Sequence, residues 1–543
     1  MPFVHPNETL LLSNDTITLQ QVPSIQSTFT EIIQGLYSHL AQTCAAIIAL
    51  TIFASTIHAV VVRFTHLSQY PGPWWAAYTR VWLSKTIASG NSAEIFVDVN
   101  KKYGPIARIG PNNLLTDDPE LTRRILAARS HYTRGPWFDS IKIDPHIPNI
   151  VSERHPGKHN HLRYQMSAGY AGKDITGLEP AINERITDFM DRIDRHWVSE
   201  PGQTKVFDIA KRIQFLAVDV ITQLCFGKPL GFMETDSDVY SFLQTIETQL
   251  PIVQHFSVFL ELNDILLRFM DVPWLKKLIG PSANDKTGIG MIMGISRKVV
   301  DERFVPGAVA KNDMLGSFIK HGLTATEAET EISISLVAGS DTTATSMRAT
   351  LLSIISNPPV YTRLQHEIDT AIAHNALSTP ILQDEALQLP YLQACIKEGL
   401  RRFPPITQLR ERMAPPEGDT YKGQHIPGGT FIGLNAWGLQ LSSVFGDDPE
   451  VFRPERWLID DGDRVREMMK VQELIFGYGT TRCLGIPIAM MNLNKIFVEL
   501  LRRFDISVVN ATKPWTSVCY GIFFQKNFNV RITRRAQKVE TVR

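Results

Sequence analysis

The feature that most constrains this chain lies near its start. From Leu40 to Val62 the stretch LAQTCAAIIALTIFASTIHAVVV carries no formal charge. At about 1.5 Å of rise per helical residue, a run of this length crosses a hydrocarbon core of ~30 Å and predicts one transmembrane helix. A cleaved signal peptide normally has a basic start and a shorter apolar part. Here Glu8, Asp15 and Glu31 precede the run, and no Lys or Arg does. A buried helix of a soluble body is the alternative, but Gln42, Ser55 and His58 are the only strong polar interruptions, and QYPGPWW follows. Arg63, Arg80 and Lys85 come after the span, and the positive-inside bias then places the large C-terminal part in the cytosol and the tail in the lumen. Two glycosylation sequons, NET at Asn7 and NDT at Asn14, fall in that tail. The expected organisation is a lumenal tail (1–39), an anchor (40–62), a Pro-rich hinge containing YPGPWW (63–75) and a catalytic body (76–543).

With 543 residues, 44% hydrophobic and 20% charged, the chain can bury a large core. Basic and acidic residues both number 55, so no overall field favours nucleic acid. The five cysteines are widely spaced and form no CxxC pair, which argues against a disulfide framework or a zinc ribbon. No repeat or low-complexity linker divides the body, which reads as one large domain. Helical patterns dominate. PIARIGPNNLLTDD (105–118) predicts a hairpin, and HIPGGTFIGLNAW (425–437) and YGIFFQKNFNVRIT (520–533) predict further strands. The fold class is mainly α with small β-sheets.

The longest predicted helix starts at TATE, where Thr324 and Glu327 have capping-box spacing, and stops at NPP (357–359). Ile332, Leu336, Thr343, Met347, Leu351 and Ile354 fall on one face. Its centre, AGSDTT (338–343), is made of weak helix formers. Gly339 would allow close approach of a flat ligand, with Asp341 and Thr342 as a proton-delivery pair. A kink with Thr hydroxyls bonded to carbonyls one turn earlier accounts for the same residues. In KEGLRRFPPI (397–406), Glu398 and Arg401 stand three apart on a helix ended by PP, a pair that alone reads as a solvated surface bridge, and FRPERW (452–457) offers Arg456 as the third member of a buried network instead. Finally, FGYGTTRCLG (476–485) sets Cys483 in a glycine-rich turn before an apolar helical run. A thiolate at a helix N-terminus has a lowered pKa and is a soft ligand for a haem iron. Gly477, Gly479 and Gly485 let the backbone turn and aim amides at sulfur. A structural cysteine in a glycine turn is the plainer alternative. No histidine follows His425, so a zinc site or Cys/His nucleophile would need a partner from a distant segment.

The order AGSDTT, EGLR, FRPERW, FGYGTTRCLG resembles the cytochrome P450 family over nearly the whole chain, and most resembles fungal microsomal members of the pisatin demethylase-like kind. That resemblance implies a cytochrome P450 fold with Cys483 as the proximal thiolate ligand of haem b and Phe476 beside the sulfur. It implies that Asp341 and Thr342 relay protons during oxygen activation, that Glu398, Arg401 and Arg456 hold the proximal side together, and that Arg412, Arg163 and His159 meet the haem propionates. His159 departs from the usual Trp, but its ring can still donate a hydrogen bond. The family's basic residue two before the cysteine is Thr481 here, with Arg482 one place later, so either the Thr481 hydroxyl takes over that contact or Arg482 is free to face a partner. Substrate contacts are expected from Trp137, Phe138, Ile143, Ile147, Ile334, Ala338, ITQL (406–409), Ile522 and Phe523, mostly apolar, implying a lipophilic ligand, with core packing the equal alternative for each aromatic. No phosphate-cradling GxGxxG follows Cys483, so electrons are expected from a separate NADPH-dependent reductase docked near Arg482. The implied function is a monooxygenase of the endoplasmic reticulum membrane that hydroxylates, epoxidises or further oxidises a polyketide- or terpenoid-type metabolite. A haem-thiolate isomerase or dehydratase and a non-enzymatic haem-binding membrane protein are the alternatives.

Overall fold

The computed structural model describes residues 25–535, apart from 66, 271 and 273–280. The chain divides into one unit through Val61 and a second from Val62. The first helix spans Ile25–Thr65, ending just past that boundary, and its His39–His58 portion, with mean hydropathy 1.9, is long and apolar enough to cross a membrane. The helix thus begins inside the expected 1–39 tail. Asn7 and Asn14 lie outside the described residues.

In the second unit, the segment expected as a hinge is part of the body. Leu67 and Tyr70 are buried, and the Arg108 amide donates to the Pro71 carbonyl at 2.8 Å. Gly72 sits so close that a Cβ there would stand 2.0 Å from the Arg108 carbonyl oxygen. Trp74, by contrast, is 75% exposed.

The expected hairpin forms, Ile106–Gly110 pairing antiparallel with Asn113–Thr116. It opens a five-stranded sheet that continues through Phe431–Leu434, Arg412–Met413 and Thr133–Arg134. The register sets Arg134 opposite Arg412. The C-terminal strand region splits in two: Phe523–Lys526 pairs with Thr516–Cys519, and Asn529–Arg534 pairs with Phe504–Val508 and Phe207–Asp208. These sheets are small and the rest is helical.

The central helix spans Ala325–Ile355. Its start follows from Thr324, whose hydroxyl accepts the Glu327 amide at 3.3 Å while the Glu327 carboxylate accepts the Thr324 amide at 2.9 Å. Pro358 and Pro359, which cannot extend it, open the next helix, Pro358–Ala373, where their missing N–H groups have no partner to lose. Ile332, Leu336, Met347, Leu351 and Ile354 are fully buried in the largest core cluster, and Thr343 is buried with them. The helix packs against Ile209–Phe226, Gly288–Phe304, Pro390–Arg402 and Ile486–Arg503.

Two glycines set these contacts. A Cβ at Gly339 would lie 2.8 Å from Ile221 Cγ1, so Gly339 makes room for the helix Ile209–Phe226 rather than for a flat ligand. At Gly399 a Cβ would stand 2.0 Å from Thr350 Oγ1, which fixes how closely Pro390–Arg402 meets the central helix. Gly399→Ala is expected to lower stability by about 1–3 kcal/mol through overpacking. An unchanged denaturation midpoint in urea would show that the two helices can separate without penalty.

Candidate functional site

The Cys483 turn follows from two backbone requirements. Gly477 and Gly479 adopt φ of +75° and +61°, a region costly for side chains with a Cβ. A Cβ at Gly479 would also stand 2.3 Å from the Leu126 carbonyl oxygen. The chain can then curl until the Cys483 amide donates to the Phe476 carbonyl at 2.8 Å, just before the helix Ile486–Arg503. Phe476 is partly buried against the main core. Burial pushes the Cys483 thiol up, while the amides of Gly485 and Ile486, which donate to Sγ, and the charge of Arg163 pull it down. Its side chain is nonetheless solvent-accessible. A thiol both surrounded by protein and open to a probe lines an internal space, and so does Ala338, exposed in the middle of the central helix.

A cluster of cations supports what that space would hold. Arg134 and Arg412 meet across the sheet. Burial lowers Arg412 well below the usual guanidinium range, and the charges acting on it, Arg134 and Arg410, are both cationic. Arg134 is lowered to about 10, first by burial, with the charge of Glu153 opposing and that of Arg163 adding to it. Its Nη1 donates to the carbonyls of Ile150, Val151 and Glu153 at 3.1, 2.9 and 2.6 Å. Arg163, on the helix Pro156–Tyr170, is lowered by burial and by Arg482. Buried like charges of this kind call for an anion, and the carboxylates of a haem, above a thiol already aimed by amides, fit the donor set.

His159 plays a different part from the expected propionate donor. Burial and then the charge of Arg134 lower it to about 4, so it is neutral, and its Nε2 accepts from Arg134 Nη2 at 3.1 Å. It positions Arg134, a residue that sequence reasoning missed because its neighbour Arg412 is supplied by a distant strand. The Thr481 hydroxyl donates to the Tyr478 carbonyl at 3.1 Å. Arg482 is exposed, and its carbonyl accepts from Arg163 Nη1 at 2.5 Å.

Asp341 and Thr342 diverge. The Thr342 hydroxyl donates back to the Ala338 carbonyl at 2.8 Å, one turn earlier. Asp341 Oδ1 accepts from Gln214 Nε2 at 2.7 Å, and Oδ2 has no protein partner. Gln214 Oε1 in turn accepts from Arg348, whose Nε donates to the Ala210 carbonyl at 3.0 Å. Burial raises Asp341 to about 6, partly opposed by Arg348 and Gln214.

Glu398, Arg401 and Arg456 come together and are buried. Arg401 grips Glu398 through Nε at 2.9 Å and Nη2 at 2.7 Å, and Arg456 Nε donates to it at 3.0 Å. Trp457 Nε1 (2.9 Å) and the Arg453 amide (3.0 Å) complete the carboxylate's partners. Arg401 also donates to the Gln440 and Pro449 carbonyls, both at 2.7 Å, tying the loops of 440–456 to the helix.

On the expected substrate side, Trp137 and Phe138 are buried and meet edge to face at 4.9 Å. Ile143 and Ile147 line a cleft of about 110 Å³ with Met293, Arg297, Glu329 and Ser333. Ile334 is half-buried on the central helix, and Ile406 bridges to Ile522. Phe523 belongs instead to an aromatic core, 4.2 Å from Phe403 and 5.7 Å from Trp437.

Comparison with known proteins matches the family model described as Cytochrome P450 over residues 69–531. "Cytochrome P450 monooxygenase ABA1" of Pyricularia oryzae is 38% identical over 494 residues, covering 89% of this chain and 95% of that protein. "Cytochrome P450 monooxygenase aba1" of Botryotinia fuckeliana is 37% identical over 481 residues, 86% and 92% of the two chains. "Pisatin demethylase" of Fusarium vanettenii is 28% identical over 485 residues, 87% and 91%.

Glu398→Ala leaves buried Arg401 without a carboxylate and Arg456 with only its longer contact to Asp448 at 3.4 Å, and a loss of about 3–5 kcal/mol is expected. Chemical denaturation measures it, and a loss below about 1 kcal/mol would mean that the carbonyl contacts alone hold Arg401 and Arg456.

Proposed function

The chain belongs to the cytochrome P450 family, and on that premise we propose that it is a membrane-anchored monooxygenase acting on a lipophilic secondary metabolite of polyketide or terpenoid type. The observation that carries this reading is the pairing of an amide-aimed thiol, Cys483, with a cluster of arginines centred on buried Arg412, on which only other cations act. Cys483 would supply the thiolate that holds the haem iron, Phe476 would pack beside its sulfur, and Arg412, Arg163 and Arg134 would hold the two propionates, with His159 fixing Arg134. Bound there, a haem supplies the redox chemistry that activates dioxygen.

The chain's own contribution is the control of protons, water and orientation. Asp341, raised to about 6, titrates close to ambient pH and can both take up and release a proton. Gln214 and Arg348 hold its carboxyl, leaving Oδ2 free. Thr342, one residue on, holds its hydroxyl on the Ala338 carbonyl and would carry a proton from Asp341 toward the space beside Ala338. Because burial raises Asp341, its proton is held more tightly in the folded state, and its ionisation disfavours folding as pH rises from the usual carboxylate value of 3.8 to about 6.

The helix Ile25–Thr65 supports a single membrane anchor, and Arg63, Arg80 and Lys85 favour a cytosolic body on the endoplasmic reticulum with a lumenal N-terminus carrying the Asn7 and Asn14 sequons. Exposed Arg482, beside the ligand cysteine, suits docking of an acidic, NADPH-dependent reductase.

Cys483→Ser is expected to abolish the thiolate-type carbon monoxide difference spectrum of reduced membranes, and its retention would remove Cys483 as the ligand. With reductase supplied, Thr342→Ala and Asp341→Asn are each expected to divert NADPH from product to hydrogen peroxide, the Asn variant also losing pH dependence near 6. Peroxide yield per NADPH equal to wild type in both would contradict the relay.

A further inference from the structure

Buried hydrogen-bond donors are rarely left without partners, because desolvation costs more than a typical hydrogen bond returns. Two such donors stand on neighbouring elements of the substrate side. Gln254, 2% exposed on the helix Phe242–Val258, has no partner for Nε2. Its Oε1 lies 3.4 Å from where a Cβ on Gly521 would be, and Gln408 flanks the same glycine. The carbonyl of Gly521 accepts the amides of Thr407 and Gln408 at 2.8 and 3.0 Å. This places Gln254 over the turn that carries Ile522 to its bridge with Ile406. Trp137, 2% exposed, likewise has no partner for Nε1. It sits in the short helix Pro136–Ile141, which packs against the Gln254 helix. Its neighbour Phe138 lies 4.9 Å from both the Arg134 and Arg412 guanidiniums, so this element reaches from the arginine cluster to the Gln254 helix.

The turn that Gln254 flanks is mostly apolar: Ile522, next after Gly521, bridges to Ile406, and Gln408 is its polar neighbour. An unpartnered amide and an unpartnered indole N–H in such surroundings are satisfied by a ligand that brings its own acceptor. We propose that Gln254 and Trp137 select a substrate that already carries an oxygen, carbonyl or hydroxyl, on an otherwise hydrocarbon skeleton. The chain then acts on a product of an earlier oxygenation, or on a skeleton assembled with oxygen in place, and not on a bare hydrocarbon. The inference rests on the monooxygenase reading of the same site and deepens it.

The test uses full-length protein in lipid nanodiscs and three probes of similar size: farnesol and geranylacetone, which carry an oxygen, and farnesene, which does not. Affinity is read from haem difference spectra and, independently of haem, from ligand-induced thermal shifts. One satisfied hydrogen bond corresponds to about a ten-fold preference. The oxygenated probes are expected to bind about ten-fold tighter than farnesene. Gln254→Met, which keeps the volume, and Trp137→Phe, which keeps the ring, are each expected to shrink that preference several-fold while leaving farnesene affinity within about two-fold. Equal affinity of wild type for all three, including no binding by any, overturns the proposal, as does a preference that survives in both variants. Should Gln254→Met not fold, Trp137→Phe and the wild-type comparison decide. A normal carbon monoxide spectrum with no oxygen preference defeats this inference alone, whereas an absent thiolate spectrum defeats the haem-thiolate reading beneath it.

Discussion

The structure turns on an unbalanced charge. Arg134, Arg163 and Arg412 are gathered at one place together with a neutral histidine, and the nearest charges acting on Arg412 are further arginines. Buried guanidiniums repel one another and resist leaving water, so the arrangement persists only because strong constraints elsewhere impose it. The sheet register forces Arg134 against Arg412. His159 and three carbonyls fix the Arg134 guanidinium, and the Arg482 carbonyl holds Arg163. That last bond joins the cation cluster to the residue before Cys483, so thiol and cations are set relative to each other by the chain itself. A dianionic planar ligand with a metal at its centre matches both halves at once.

Chemistry written within a few residues was legible in the sequence. The Thr324–Glu327 cap, the hairpin at 106–116 and the Glu398–Arg401 spacing are local, and each forms. Arg456, some fifty residues away, was recoverable only through the FRPERW motif and the family resemblance that it completes. What the sequence hid is set by long-range pairing. Arg134 looks like any loop arginine until strand Thr133–Arg134 joins Arg412–Met413. His159 looked like a donor, but the neighbouring guanidinium makes it an acceptor. Gly339 looked like ligand space until the neighbouring helix placed Ile221 against it, and Phe523 looked like a pocket residue until Phe403 and Trp437 closed around it.

The acid and alcohol of the central helix show how one local sequence serves two environments. Successive helical residues point about 100° apart, so Asp341 enters the core against Gln214 and Arg348 while Thr342 stays beside the open Ala338. Burial gives Asp341 a proton affinity matched to ambient pH, and the weak helix formers around it are the cost of placing hydroxyl, carboxyl and a close helix contact within one turn. The buried donors of Gln254 and Trp137 have no protein partner, and on the proposed reading they would orient a substrate that apolar contacts hold.

The central claim, that the arginine cluster exists to hold the carboxylates of a haem over Cys483, is tested most directly by titrating haem-free full-length protein with haem and with haem dimethyl ester, which has the same ring and iron but no carboxylates. The account predicts that the ester binds at least about a hundred-fold more weakly, as expected when several charge-assisted contacts are removed. Equal affinity for the two would mean that the buried arginines do not serve the cofactor, and would contradict the account.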